Sequence, residues 1–133
     1  MASGRLNGGS SCAGLNLEKG HSVDVGAGSL KKARRFDLVS SIPPTLVECK
    51  SHTWTEGGNA PSAKLSVWNE AMLYFLVAPQ GYRMILAVLA HGAQGESLAD
   101  HYVKRFQHLV PPGVEIWEVA SDGSSGRHVF TAK

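Results

Sequence analysis

Apolar residues follow two periodicities along the chain, and these predict strands and helices in a definite order. Alternating or continuous apolar stretches indicate strands, whereas apolar residues spaced three and four apart indicate helices. The predicted order is strand, strand, strand, helix, strand, helix, strand. The predicted strands cover residues 21–25, 35–40, 45–54, 82–90 and 114–119, the last one near an edge, and the predicted helices cover residues 63–78 and 96–110.

Three successive strands followed by two helix–strand units predict an α/β (α+β) fold. It has a mixed central sheet of about five strands flanked by two main helices. Pro43 and Pro44 place a connection between the second and third strands, because proline cannot join a central ladder. The length of 133 residues fits one domain. We expect a flexible Gly/Ser-rich lead over residues 1–14, a single domain over 15–120 and a loose polar tail over 121–133.

Composition narrows the class of protein. Hydrophobic residues make up 43% of the chain and charged residues 18%, which excludes a disordered polar chain. No apolar run approaches the roughly 20 residues of a membrane span, and the lead lacks the apolar stretch of a signal peptide. We therefore expect a cytoplasmic protein without a membrane partner.

Positive charge is concentrated in the first part of the chain. The net charge is only +2, but residues 1–36 carry six basic and two acidic side chains. The densest cluster is Lys31, Lys32, Arg34 and Arg35, which ends two residues before Asp37. Such a cluster can hold phosphates beside an acidic site. The alternative is a turn that carries solvated surface charge.

The parity of strand residues groups several polar side chains. Residues two apart in a strand share a face, so Glu48, Lys50 and His52 project together. Asp37 lies in the preceding predicted strand. If the two strands pair through the proline turn, Asp37 lies beside Glu48, and two carboxylates and an ammonium converge.

This convergence favours metal-assisted phosphodiester hydrolysis. Neighbouring carboxylates repel unless a cation neutralises them, and their hard oxygens suit Mg²⁺ or Mn²⁺. The backbone carbonyl of Cys49 is a further candidate ligand, beside Asp37 and Glu48. Lys50 can orient or deprotonate the attacking water, or stabilise charge that develops on the phosphate.

The arrangement Asp37…Glu48-Cys49-Lys50 resembles the PD-(D/E)xK nuclease superfamily, with Phe36 where the family name has proline. The resemblance implies a restriction-endonuclease-like fold, Asp37 and Glu48 as metal-binding acids, Lys50 as the catalytic lysine, and DNA as substrate. The family's first helix is poorly represented, and Glu18 is the only candidate for its acidic residue. A truncated first helix would leave one sheet face partly uncovered, and a partner in a homodimer could cover it.

Other interpretations of the same residues stay open. An acid-x-Lys motif alone is weak, and Glu48 and Lys50 could form an exposed cross-strand charge pattern. A domain of the same fold could also bind nucleic acid, or scaffold a complex, without cutting. His52 and Lys64 complete the candidate nucleic-acid-binding residues, and His52 could instead make an ordinary hydrogen bond at a strand end.

Overall fold

The computed structural model describes residues 11–12, 15–16, 21–54, 57, 59, 61–93 and 96–133, of which residues 11–12, 15–16 and 92–93 are described by backbone only. The strands are β1 (Ser11–Cys12), β2 (Leu15–Asn16), β3 (Ser22–Val25), β4 (Lys32–Arg35), β5 (Leu38–Ser41), β6 (Pro44–Lys50), β7 (Arg83–Leu89), β8 (Gly92–Ala93), β9 (Glu96–Ser97), β10 (Val114–Val119) and β11 (Gly126–Thr131). The helices are α1 (Ser62–Leu76) and α2 (Leu98–Phe106), and a 3-10 turn follows α2 at Gln107–Leu109.

A five-stranded mixed sheet forms the centre of the fold, in the order β11-β10-β7-β6-β5. The three inner strands β10, β7 and β6 are parallel, and each outer strand pairs antiparallel to its neighbour. Helix α1 connects β6 to β7, and α2 lies between β7 and β10 in the chain. The predicted mixed α/β (α+β) architecture with about five strands and two helices is confirmed. Its strands differ from the predicted set, because residues 22–25 form β3 of a separate two-stranded sheet and β11 is the fifth strand.

Both helices contribute to one hydrophobic core. The two parallel connections step in the same direction across the sheet, and right-handed crossovers then place both helices on the same face. Leu46 and Leu86 from the sheet are buried there with Trp68 of α1 and Tyr102 of α2. The opposite face carries a smaller apolar cluster formed by Leu38, Val47, Ile85 and Ala87, against which Trp117 and Val119 pack.

The predicted second strand is divided into two. Strand β4 ends at Arg35 and pairs with β3, whereas β5 begins at Leu38 and pairs with β6. The chain bends between them because Phe36 turns into the core and stacks on Phe75, with ring centroids 5.9 Å apart. The basic cluster therefore lies mostly in a strand of a separate hairpin and not in a turn, and Asp37 lies in the bend and not within a strand.

The expectation of a loose polar tail over residues 121–133 was wrong. Strand β11 pairs antiparallel with β10, so the folded domain continues past residue 120 and β10 is not an edge strand. The alternating pattern is weak in β11 because an edge strand needs few apolar residues and tolerates charge. Its Arg127 donates a hydrogen bond to Glu118 of β10 over 2.8 Å, and such a cross-strand pair cannot be recognised from periodicity.

Helix starts also differ from the sequence patterns. Helix α1 begins at Ser62, one residue earlier than predicted, and Pro61 occupies its N-cap without a side-chain hydrogen bond. Helix α2 begins two residues later than predicted, because the Ser97 hydroxyl caps it by accepting from the Asp100 N–H. No helix in the described part of the chain is long and apolar enough to cross a membrane. The predicted flexible lead, apart from the backbone of residues 11–12, and Glu18 lie outside the described residues.

We expect Gly26→Ala to destabilise the fold at the base of the β3–β4 hairpin. The Gly26 N–H donates to the Val77 carbonyl over 3.0 Å, which joins the hairpin to the end of α1. A Cβ at this position would overlap the backbone carbonyl oxygen of Leu30. Forced overlap of this kind costs roughly 1–3 kcal/mol of unfolding free energy, measurable by urea denaturation.

Gly28→Ala is the matched control, because a Cβ there would meet no atom within 4 Å. It should change the unfolding free energy by less than about 0.5 kcal/mol. Equal stability of the two variants would contradict the close approach at Gly26.

Candidate functional site

Asp37, just before the start of β5, is tied to β6 by one hydrogen bond to Glu48 and one from Cys49. The Asp37 N–H donates to Glu48 Oε2 over 3.0 Å, and the Cys49 N–H donates to Asp37 Oδ2 over 2.8 Å. The pairing of β5 with β6 ends at Leu38 and Val47, so Asp37 and Glu48 come directly after the last pair of the ladder. The predicted proximity of the two carboxylates through the proline turn is confirmed.

The side chains of β6 alternate as the parity argument predicts. Leu46 belongs to the core under the helices and Val47 to the cluster on the opposite face. Glu48 therefore points to the helix side, as does His52, which contacts α1. Lys50 lies between Glu48 and His52 along the chain and is half-buried. The charge of its ammonium acts to lower the pKa of both residues, although other causes leave the pKa of Glu48 raised.

Burial makes Glu48 an unusual acid. The residue is only 3% exposed, and this desolvation is the largest cause of its raised pKa. The neighbouring charge of Asp37 raises the pKa further, whereas the Asp37 N–H, Arg34 and Lys50 lower it and do not compensate. A buried carboxylate beside a second one gains from added positive charge.

Arg34 supplies part of that positive charge. Its Nη2 donates to Glu48 Oε1 over 3.0 Å, with the Glu48 side chain 4% exposed and the Arg34 side chain 27% exposed. The guanidinium lies over the ring of Tyr74, 3.8 Å from its centroid. Arg34 therefore contacts the acidic pair directly, whereas the sequence predicted it as a nucleic-acid contact.

A hydrogen bond from Trp68 holds the neutral ring of His52 in one tautomer. The indole N–H of Trp68 donates to His52 Nδ1 over 2.9 Å. An indole only donates, so Nδ1 carries no proton and the neutral ring bears its proton on Nε2. Burial lowers the pKa of His52 most, and the charges of Lys50 and Lys64 lower it further.

The other predicted nucleic-acid contacts are exposed basic side chains of the β3–β4 hairpin and of α1. Lys32 and Arg35 are exposed on the β3–β4 hairpin, and Lys64 is exposed in the first turn of α1. Lys31 is exposed, but its ammonium donates to the Gly26 carbonyl within the hairpin loop over 2.9 Å. A lysine near a helix N-terminus is unfavourable for the helix dipole, so Lys64 adds to the positive potential without stabilising α1.

The donor set fits a hard divalent cation with few protein ligands. Within the described residues, no group of three or more His, Cys, Asp or Glu side chains could hold a metal ion. The predicted ligands need only two carboxylates and a carbonyl, since Mg²⁺ commonly keeps several waters. The N–H and C=O of one strand residue point to the same edge, so the Cys49 carbonyl faces the side on which its N–H binds Asp37.

A cleft of about 250 Å³ opens beside Lys50 at the carboxyl ends of the parallel strands. Its walls come from the ends of β6, β7 and β10, including Lys50, Ser51 and Ser121. In open α/β sheets, ligands commonly bind beyond the carboxyl ends of the strands. Lys50 therefore has the acidic pair on one side and an open cleft on the other.

The sequence patterns did not identify the partners in three contacts of the site, although a hydrogen bond of His52 at a strand end was one of the open interpretations. The Arg34–Glu48 pair joins residues 14 positions apart, and the Trp68–His52 bond joins residues 16 positions apart. The proximity of the basic cluster at residues 31–35 to Asp37 was the only sequence signal for the Arg34–Glu48 pair. Neither pattern nor spacing indicated the contact between Arg34 and Tyr74. Such contacts depend on how the hairpin and α1 pack on the sheet.

We expect the stability of the protein relative to Glu48→Gln to depend on pH. A raised carboxyl pKa stabilises the fold fully below its ordinary value of 4.5, and this stabilisation is lost as pH rises through the folded-state pKa. The unfolding free energy of the wild type should therefore fall relative to Glu48→Gln as pH rises above the ordinary carboxyl value of 4.5. Urea denaturation of both proteins over this rise in pH measures the difference.

Glu115→Gln is the control of opposite sign. Burial raises the pKa of Glu115, but hydrogen bonds from Arg83 and Trp117 outweigh it and the pKa is lowered. Its stabilisation is present above the ordinary value and lost as pH falls through the folded-state pKa. Parallel pH dependence of the two variants would contradict the assignment for Glu48.

We expect Lys64→Gln to raise the pKa of His52, because a nearby positive charge that disfavours the imidazolium is removed. An NMR titration of the His52 ring protons measures this shift. Lys104→Gln removes an equal charge from α2, where Lys104 pairs with Glu96, and should leave the His52 pKa unchanged. An unchanged His52 pKa in both variants would show that Lys64 does not belong to this site.

No family model, curated protein or solved structure matches the chain. The candidate site is therefore defined by its own geometry: two hydrogen-bonded carboxylates, the lysine that follows them on the same face, and the surrounding basic side chains.

Proposed function

We propose that the protein is a metal-dependent nuclease that hydrolyses phosphodiester bonds, with DNA as its preferred substrate. The observation that carries the proposal is the hydrogen-bonded pair of Asp37 and Glu48 beside Lys50. We further propose that the fold is restriction-endonuclease-like, since the acid, the Glu-x-Lys strand, the helix and the next strand follow in that family's order.

Each residue of the pair has a separate task in this proposal. Asp37 and Glu48 would hold Mg²⁺ or Mn²⁺, with the Cys49 carbonyl as a third ligand. The bound ion would polarise a phosphate oxygen and lower the pKa of a water molecule. The hydrogen bonds from the backbone N–H groups of Asp37 and Cys49 fix the carboxylates in place before any ligand arrives.

Lys50 would act on the substrate side of the carboxylates. It follows Glu48 on the same strand face and borders the cleft at the strand ends. From there its ammonium can orient the attacking water and stabilise negative charge on the phosphate. The Nε2–H of neutral His52 is a suitable additional donor to a phosphate oxygen.

The exposed cations suit a polyanionic substrate. Lys32 and Arg35 lie on the hairpin that leads into the site, and Lys64 is close enough to His52 for its charge to lower the pKa of that ring. Phosphate contacts of this kind supply sequence-independent affinity that weakens with salt. Cleavage of both strands of a duplex would favour a two-fold homodimer.

A binding or scaffolding domain without cleavage is the second candidate. The Arg34–Glu48 ion pair favours it, because the acidic pair already has a cationic partner within the chain. Such a domain would bind DNA through the same basic residues but would need no metal.

We expect metal-dependent cleavage of DNA that is lost in the site variants. Supercoiled plasmid, linear duplex and single strands, each with Mn²⁺ or Mg²⁺, cover the main substrate forms. Asp37→Asn, Glu48→Gln and Lys50→Met should each lower the cleavage rate at least about a hundredfold, since each removes charge at the reacting phosphate. Asn keeps an oxygen that can accept the Cys49 N–H, so the first variant should retain the fold.

Glu70→Gln and Lys104→Met serve as controls, since both residues are exposed helix positions outside the site. Both should cleave like the wild type. DNA binding without cleavage in any metal would support the second candidate, and neither binding nor cleavage would overturn both.

A further inference from the structure

Arg34 is placed between an acidic and an aromatic partner. Its Nη2 contacts Glu48 Oε1 at 3.0 Å, and its guanidinium lies 3.8 Å from the centroid of Tyr74 and 5.3 Å from that of Phe36. Strand β4 of the hairpin thus places a permanent positive charge beside Asp37 and Glu48, which together form the acidic pair. Arginine stays protonated at any physiological pH, so this charge cannot be removed by titration.

The two oxygens of Glu48 have different partners. Oε2 accepts from the backbone N–H of Asp37, a contact that the strand geometry maintains. Oε1 accepts from Arg34 alone among the contacts within the described residues. A divalent cation between Asp37 and Glu48 would therefore meet the guanidinium at Oε1, and two cations at one oxygen repel.

We propose that Arg34 and a divalent cation compete for Glu48 Oε1, so that Arg34 sets the metal affinity of the acidic pair. In the metal-free protein the guanidinium neutralises the buried carboxylate. Metal binding opens this ion pair, and the guanidinium keeps its contact with the Tyr74 ring. This inference rests on the proposed function, because it requires that Asp37 and Glu48 bind a metal.

The surroundings of Arg34 allow the ion pair to open. Its Nε is buried without a hydrogen-bond partner, so the pairing with Glu48 leaves one donor unsatisfied. Tyr74 can continue to hold the guanidinium by cation–π contact after the ion pair opens. A cleft of about 250 Å³ lined by Lys32, Arg34, Arg35 and Tyr74 gives the side chain room to move.

Calorimetric titration with Mn²⁺ tests the competition without measuring cleavage. Arg34→Gln removes the competing charge, so we expect its Mn²⁺ dissociation constant to be at least about tenfold lower than that of the wild type. The variant should also melt at a lower temperature without metal and gain more from saturating Mn²⁺. An equal or weaker Mn²⁺ affinity would overturn the proposal and would assign Arg34 a purely structural role.

Two controls separate this inference from the proposed function. Arg83→Gln breaks another arginine–glutamate pair of the sheet, with Glu115, and should leave Mn²⁺ affinity unchanged. Asp37→Asn should abolish Mn²⁺ binding. Binding in the wild type that is lost in Asp37→Asn but unaffected in Arg34→Gln would refute the competition and leave the metal site intact. Absence of Mn²⁺ binding in the wild type and in Arg34→Gln would refute both.

A measurement on the wild-type protein covers the case that Arg34→Gln does not fold. The Nε–H resonance of Arg34 should shift during titration with diamagnetic Mg²⁺, following the same saturation curve as the backbone N–H of Asp37. An Arg34 resonance that stays fixed while the Asp37 resonance moves would overturn the proposal.

Discussion

A carboxylate can remain in a protein interior only if its oxygens are hydrogen-bonded, and Glu48 illustrates this constraint. Its Oε2 is held by the Asp37 backbone and its Oε1 by Arg34, while the residue is 3% exposed. These two contacts bring the start of β5 and the hairpin strand β4 to the same point of β6. The bend at Phe36 and Asp37 is the local conformation that allows both hydrogen bonds of Glu48. The path of the chain at this bend therefore also determines the geometry of the site.

Strand β6 also sets a gradient of exposure along one face. Leu46 is fully buried under the helices, Glu48 nearly so, and Lys50 and His52 are half-buried towards the strand end. Alternation places all four on the helix side, and the end of the helix layer decides where the polar ones begin to meet solvent. Charged groups at such a boundary interact more strongly than in water and still remain accessible to a ligand.

Basic side chains surround the two carboxylates of the site. The two carboxylates are matched by Arg34 and Lys50 nearby, and Lys64 adds a further positive charge close to His52. A bound cation would add to this surplus of positive charge. In the proposed function, this positive charge attracts the phosphate groups of the substrate, and the two acids distinguish the site from a purely basic patch.

The sequence by itself determined the order of elements, the mixed α/β (α+β) class and the shared face of Glu48 and Lys50, because these follow from periodicity and from the proline turn between two adjacent strands. Tertiary structure alone decided that Phe36 enters the core and bends the chain, that β11 completes the sheet, and that Arg34 pairs with Glu48. Each of these depends on contacts between segments that are distant along the chain. Local patterns describe which face a side chain occupies, whereas its partner on another element is decided by packing.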